Sequence, residues 1–397
     1  MKINFHFILK TCFLLSALIL VLPNKIREIP FALLGLFAII YYFREKLYKK
    51  KDIIFFLYFL VLAFSLIYSN NLKYGFRYLE AQLPFFYLPF AYLVFSRRQI
   101  IDEQTIKKWI SFFNLSNLLF LLSFVFYFLL QSQEVSYNNI RTSFDTMPLL
   151  GIHPIYLSII AVLTIFSNFY SQNKSKVIQY FFISVNLALL VMTGVRATLL
   201  FFPIIITAFF LLSKKSFYYK IKICLFIFSL FFCFTIFNKD FTKRLSEISN
   251  PQTYSQVNLH NSASIRSSIW DCALTQAKQS NPIFGEGLGD TRGLLQYCYD
   301  SQYPELNKYY NTHNQYLSIY ISIGFVGLLT IAIFLYTISK SVSIQNKKYF
   351  SFTLVFYSYM FIFENVLERK YGVLIFLTFL LFIFNNNQKD NIELNEK

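Results

Sequence analysis

Asn314-Gln315-Tyr316-Leu317-Ser318-Ile319-Tyr320-Ile321-Ser322-Ile323-Gly324-Phe325-Val326-Gly327-Leu328-Leu329-Thr330-Ile331-Ala332-Ile333-Phe334-Leu335-Tyr336-Thr337-Ile338-Ser339 runs without one Asp, Glu, Lys or Arg. A hydrocarbon layer about 30 Å thick is crossed by roughly 20 such residues in a helix, so the stretch reads as a membrane span. Backbone groups in hydrocarbon must be bonded within the segment, which makes long apolar runs helices. Tyr316, Tyr320 and Gly324 recur at helical spacing, while Leu317, Ile319, Ile321 and Ile323 fill the other faces. Gly324 and Gly327 stand three apart, which predicts a neighbouring helix at close range. Immediately upstream, Asn311-Thr312-His313 puts a histidine where the chain enters the membrane. In the first turn of a helix it would feel the positive end of the dipole, which disfavours imidazolium. A neutral imidazole near water can take a proton, so general base is the functional reading. The competing reading is a histidine that only caps the helix.

Composition extends this reading to the whole chain. At 56% hydrophobic and 20% aromatic content, with 50 Phe in 397 residues, the sequence is that of an all-α polytopic membrane protein. Apolar runs predict about 12 transmembrane helices, near 5–22, 30–43, 53–69, 81–96, 109–130, 152–170, 177–194, 196–212, 219–237, 314–339, 349–366 and 370–386. The whole of 1–397 reads as a single integral membrane domain. The start resembles a signal peptide, but no small-residue cleavage site precedes Pro23, so a retained first span is expected.

The net charge of +17 raises nucleic acid as a partner, and its placement argues against one. Lys and Arg sit in short loops between apolar runs and form no basic patch interleaved with aromatics. With both termini in the cytoplasm, inner loops hold Arg44 to Lys51, Arg97, Arg98, Lys107 and Lys108, whereas outer loops hold far fewer. The long hydrophilic segment 238–312 then faces outward as a large periplasmic loop. Its seven basic and seven acidic residues show no bias, as an outer loop requires none. Loops of this length are more often functional than idle.

Within it, Ser264 to Lys278 reads as an amphipathic helix with Ile265, Ile269 and Ala273 on one stripe and Arg266 and Trp270 beside it. Asn281-Pro282 ends the helix. Gly285-Glu286-Gly287-Leu288-Gly289-Asp290 follows, a turn-forming run whose N–H groups could approach an anion, although it lacks the Lys-Ser/Thr of a nucleotide loop. Cys272 and Cys298 are the two cysteines on the oxidising side and are expected to form a disulfide. No Cys/His group has metal-ligand spacing, so neither a metal nor any cofactor is expected.

Further candidates fall on the same side as His313. Arg196 sits at the edge of an apolar hairpin, where a charge is costly and is kept for function or snorkels to the surface. His153-Pro154-Ile155-Tyr156 opens the sixth span, and Glu364, Glu368 and Arg369 flank the last outer turn. Two guanidiniums and an imidazole suit transfer from a diphosphate leaving group, because Arg grips phosphate with a planar fork and keeps its charge.

These residues resemble the O-antigen ligase and O-antigen polymerase superfamily of bacterial envelope glycosyltransferases. His313-Asn314-Gln315-Tyr316-Leu317 leading to Gly324-Phe325-Val326-Gly327 carries the most specific part of the resemblance. Arg266 with Trp270, then Pro282 and Gly285 to Gly289 (Gly287 and Gly289 included), match the outer-loop pattern. Thr193-Gly194-Val195-Arg196 is similar to a small-residue-plus-arginine motif, with Val195 where Ser is common. His153 to Tyr156 and Glu364 to Gly372 are similar to secondary motifs of related polymerases. The resemblance implies the lipid-dependent glycosyltransferase membrane fold in the bacterial inner membrane. It implies an undecaprenyl-diphosphate-linked glycan donor and no metal, with Arg196 and Arg266 on the diphosphate and His313 activating the acceptor. Asn314, Trp270, Gly287, Gly289, His153, Tyr156, Glu368 and Arg369 would support them. The acceptor is lipid A core for a ligase, or a second lipid-linked repeat for a polymerase. A glycolipid transporter or flippase remains the alternative of another class; against it, several spans lack the mid-membrane charges that ion-coupled carriers use.

The charge asymmetry makes a direct prediction. Cysteines introduced near Gln256 react with impermeant reagents added to spheroplasts, and cysteines near Ser343 do not; the reverse pattern contradicts the orientation.

Overall fold

The computed structural model describes residues 4–131, 134–171, 175–212, 216–222, 224–225, 228–229, 239–254, 257–259, 261–306 and 310–385. Among them every regular element is helical. The first ten are α1 (Phe5–Ser16), α2 (Ile29–Arg44), α3 (Leu57–Phe64), α4 (Leu72–Gln82), α5 (Pro84–Arg98), α6 (Glu103–Leu130), α7 (Tyr137–Thr146), α8 (Pro154–Ser171), α9 (Lys176–Thr193) and α10 (Arg196–Leu211). Then come α11 (Lys239–Ser249), α12 (Ser262–Gln279), α13 (Thr291–Gln302), α14 (Gln315–Ser341), α15 (Ile344–Phe363) and α16 (Lys370–Thr378).

Four of these, α6, α8, α9 and α14, are long and apolar enough to cross a membrane; α1, α2, residues 57–68, α10 and residues 370–383 are shorter apolar helices. The expected span 219–237 lies mostly outside the described residues. In α6, Asp102 caps the first turn by accepting the Thr105 N–H at 2.7 Å. Helix α9 ends at Gly194, whose left-handed φ of 61° lets the chain turn straight into α10 at Arg196.

Burial differs sharply between these helices. Helix α8 is buried around almost its whole circumference, whereas α9 buries little more than one stripe. Helix α16 buries Gly372 to Thr378 without interruption. These two form the centre of the helical body, so the turns at their outer ends, His153 before α8 and Glu364 to Glu368 before α16, are anchored to it. Inside, α6, α8 and α9 are joined by buried amides. Asn114 and Asn168 exchange hydrogen bonds at 3.0 and 2.9 Å, and Asn117 donates to Asn186 at 2.6 Å and Thr164 at 3.1 Å. Where hydrocarbon surrounds the helices, such pairs supply the attraction that apolar packing alone does not.

The decisive departure from expectation is in α14. It is broken at Ile323 (φ −138°, ψ 16°) and Gly324 (φ 61°, ψ −158°). The break frees carbonyls and amides, and the loop after α12 takes them. Glu286 and Gly287 donate to the carbonyls of Ile321 and Ser322 at 2.8 and 2.9 Å. Phe325 and Val326 donate to Pro282 and Ile283 at 2.9 and 3.2 Å. A Cβ on Gly324 would lie 2.3 Å from the Ile283 carbonyl, and one on Gly285 would lie 2.5 Å from the Ile323 nitrogen. The close approach expected at Gly324 is therefore made by a loop backbone. At Gly327 the atoms nearest to an added Cβ would be the side chains of Ile319 and Ile323 in its own helix.

Above this junction α12 and α13 make a second, smaller core. Ile269, Cys272 and Ala273 pack with Leu295, Cys298, Tyr299 and Leu306, and Ile321 of α14 joins them from below. Cys272 and Cys298, 26 residues apart, are disulfide-bonded as expected.

Gly324→Ala should destabilise the protein by about 1–3 kcal/mol from backbone conformation alone, before the clash with Ile283 is counted. Reducing the disulfide should cost about 3–4 kcal/mol in the chain-entropy account. Thermal unfolding of the detergent-purified protein reads both, and an unchanged midpoint for Gly324→Ala would contradict the interlock.

Candidate functional site

The site forms where the first residues of α14 meet the turn between α15 and α16. Thr312 receives the Asn314 N–H at 3.3 Å, and Asn311 Oδ1 receives the His313 N–H at 3.2 Å. Asn314 is the N-cap, its side chain accepting from the Leu317 N–H at 3.0 Å. His313 therefore stands before the cap and not in the first turn, with a left-handed φ of 43°. A non-glycine residue is held there only when its surroundings over-determine it. They do: Thr312 Oγ1 donates to the Asn314 carbonyl at 2.7 Å and reaches Asn365 at 3.1 Å, and Asn311 Nδ2 donates to Glu368 at 3.0 Å. Glu368 also accepts from Ser318 at 2.7 Å and from Asn365. Gln315 fastens the facing turn by accepting the Leu367 N–H at 2.7 Å.

So positioned, the imidazole Nδ1 lies 3.2 Å from Glu364 Oε2. Arg266 Nη2 approaches the same oxygen at 3.9 Å. Glu364 is 8% exposed. Burial alone would raise its pKa, but the hydrogen bond and charge of His313, then the charges of Arg266 and His153, hold it below the usual carboxylate range. Four residues on, burial and the neighbouring Glu364 charge push Glu368 up, against the hydrogen bonds of Ser318, Asn365 and Asn311. Two carboxyls thus titrate in opposite directions. His153, at the tip of α8, is held below its ordinary value by burial, against the pull of the Glu364 charge. Its Nδ1 accepts the Ile155 N–H at 3.4 Å.

Arg196 is the first residue of α10 and is 9% exposed. Its guanidinium donates to Ser262 and lies 3.8 Å from Glu247 of α11. Ser262 and Arg266 are one turn apart on α12, so both guanidiniums address the same face of that helix. Trp270 continues the spacing another turn, its ring 6.1 Å from Phe363 and its buried Nε1 without a protein partner.

The remaining expected residues lie elsewhere. Gly287 and Gly289 pack against residues 69–71, and the N–H groups of Glu286, Gly287 and Gly289 are consumed by Ile321, Ser322 and Ser69. That run clamps the outer layer to the helical body, and its used N–H groups offer no cradle to an anion. Tyr156 is buried against Gly372 of α16. Arg369 is exposed. Glu364 is the hub that sequence reasoning underweighted; the available signal was two glutamates one turn apart between the last apolar runs. Ser262 and Glu247 carried no signal, being ordinary polar residues in a polar segment.

Among the described residues no group of three His, Cys, Asp or Glu is placed to hold a metal. Residues 180–332 match the family model described as O-antigen ligase (Wzy_C). The match supports the O-antigen ligase superfamily. No curated protein matches the chain. Arg196, Arg266 and His313 fall inside the O-antigen ligase match, and Glu364 lies beyond it. The match to that family agrees with the four helices long and apolar enough to cross a membrane.

The opposed carboxyls set the signs of a pH experiment. Glu364, with its pKa lowered in the fold, lends stability above the ordinary carboxylate range that is lost as pH falls through its folded value. Glu368, with its pKa raised, lends stability at low pH that is lost as pH rises through its folded value. Glu364→Ala should cost about 1–3 kcal/mol near neutral pH by leaving its partners unpaired. Glu368→Gln should flatten the fall in thermal midpoint as pH rises from the ordinary carboxylate range through the raised Glu368 value. A Glu368→Gln midpoint that still falls as the wild type's does would contradict this assignment.

Proposed function

We propose that the protein transfers a glycan from an undecaprenyl-diphosphate carrier to an acceptor hydroxyl, as an O-antigen ligase acting on lipid A core. The observation that carries the reading is the shared Glu364 oxygen, which engages His313 Nδ1 and Arg266 together. Glu364 accepts from Nδ1–H and leaves Nε2 as the basic nitrogen facing the acceptor. The acceptor O–H proton passes to Nε2 while the oxygen forms a bond to the anomeric carbon. The bond from that carbon to the diphosphate oxygen breaks, and the diphosphate leaves with the electron pair. Arg196 and Arg266 neutralise that charge as it develops. The N-terminal end of α10 supports the same assignment, since a helix N-terminus and the Arg196 guanidinium together favour an anion.

The proposed topology has both termini cytoplasmic, twelve spans, and 238–312 in the periplasm as the large loop bearing part of the active site. The disulfide supports it, because such bonds persist on the oxidising side of a bacterial inner membrane. Polymerisation of lipid-linked repeats is the second reading, since the same groups serve either acceptor.

The test is transfer from a purified lipid-linked glycan in EDTA, with lipid A core and a second lipid-linked repeat supplied in separate arms. His313→Ala should lower turnover by about 10²–10⁴-fold while donor binding survives. Arg196→Ala and Arg266→Ala should weaken donor binding, with poor rescue by Lys because a point charge cannot reproduce the fork. Near-normal turnover of His313→Ala, or an absolute need for a divalent metal, would overturn the mechanism; elongation of the repeat alone would assign the polymerase.

A further inference from the structure

The two guanidiniums assigned to the diphosphate are each met by a carboxylate, and the two pairs are built in opposite ways. Arg266 Nη2 lies 3.9 Å from Glu364, and there the acid is the more buried partner. Arg196 Nη1 lies 3.8 Å from Glu247, and there the arginine is the more buried partner, its side chain 9% exposed against 24% for the acid. In the first pair the guanidinium is the member free to turn, because Glu364 is held by His313 at 3.2 Å. In the second the guanidinium is fixed at the start of α10 and donates to Ser262, so the carboxylate is the member that can leave. Helix α11 allows it to do so. Leu245 packs against the helical body, whereas Ser246, Ile248 and Ser249 are exposed, so Glu247 can swing into water without unpacking its helix.

A guanidinium as buried as Arg196 needs an anion beside it, and Glu247 supplies one. Any other anion must take that contact from a carboxylate tethered to the same chain, at an effective concentration on the order of millimolar. A phosphodiester, the head-group linkage of ordinary phospholipids, carries one charge shared by two free oxygens, as a carboxylate does. It replaces Glu247 with its like and gains nothing from the exchange. A diphosphate diester carries one charge on each of two phosphoryl groups. Arg196 takes one and Arg266 the other, since both address the same face of α12, and the second contact tips the exchange.

We infer that Glu247 is a specificity-determining residue, a counter-charge that keeps phospholipid phosphodiesters off Arg196 and yields to a diphosphate that reaches both arginines. The inference rests on the proposed role of Arg196 and Arg266. It adds the reason why bulk lipid, in large excess over any carrier, does not fill their site.

Binding to the full-length protein in uncharged detergent tests this without any transfer reaction. The probes are dimethyl phosphate and symmetrical dimethyl diphosphate, the smallest diesters of each kind, titrated by ³¹P NMR. Wild type should bind the diphosphate and resist competition by the monophosphate. Glu247→Gln keeps the shape and removes the charge; it should tighten diphosphate binding by about two- to fivefold, the worth of a part-exposed ion pair. Dimethyl phosphate should now compete in that variant. In mixed micelles containing phosphatidylglycerol, donor KM should rise for Glu247→Gln and stay level for wild type. Unchanged diphosphate affinity in Glu247→Gln, or equal competition by the monophosphate in wild type and variant, would overturn the filter. A lowered thermal midpoint as the sole effect would do the same and leave Glu247 as a strut of α11. Arg196→Ala binding the diphosphate as tightly as wild type would instead sink the proposed donor site itself.

Discussion

A buried carboxylate must be paired or it will protonate, and the outer face of this protein is arranged around one, Glu364. Its partners are the imidazole of His313 at 3.2 Å and the guanidinium of Arg266 at 3.9 Å, both on one oxygen. The shorter contact indicates what the carboxylate is for. Under the proposed transfer, a tight Arg–carboxylate pair would cancel the charge offered to the diphosphate, whereas a loose one leaves the guanidinium able to turn toward an incoming anion. Glu364 serves His313 first and restrains Arg266 second. The same geometry accounts for the left-handed backbone at His313, a strained conformation that points the ring at the carboxylate and is maintained by Asn311, Thr312 and Asn365.

The groups that meet at Glu364 come from α12, α14 and the turn after α15, so the site depends on how the outer layer is fastened to the membrane helices. The break at Gly324 does this. Unmade hydrogen bonds within a membrane helix are costly, and here four are made to the 282–287 loop instead. The disulfide and the small core around Ile321 reinforce the same joint from above. In the proposed reaction, binding energy from a long lipid carrier would then be expressed at the reacting atoms, because α12 is fastened to α14.

Much of this was legible beforehand, for physical reasons. Membrane helices announce themselves because hydrocarbon demands long uncharged runs; α8, α9 and α14 appear close to expectation, while α6 begins earlier, at Glu103 instead of 109. Residues 264–278 were legible because Ile269 and Ala273 must face a core at helical spacing. Gly324 was noticed for the wrong reason. Small residues three apart signal close approach, but the pattern does not say whether a helix or a loop approaches, and only a positive φ distinguishes the two. The glycine-rich run was misread for a related reason, since its N–H groups looked available until their acceptors on Ile321, Ser322 and Ser69 were known. Glu364 stayed obscure because its importance comes from a partner 51 residues away. The amides joining α6, α8 and α9 escaped notice because they carry no charge.

The central claim is that Glu364 fixes the tautomer of His313, holding the proton on Nδ1 and leaving Nε2 basic. With four histidines in the chain, ¹⁵N-labelled imidazoles can be assigned by single substitutions and their nitrogens read directly in the neutral form. The account predicts protonated Nδ1 and unprotonated Nε2 at His313, with that preference weakened in Glu364→Ala. A neutral His313 carrying its proton on Nε2, or a tautomer indifferent to Glu364, would contradict it.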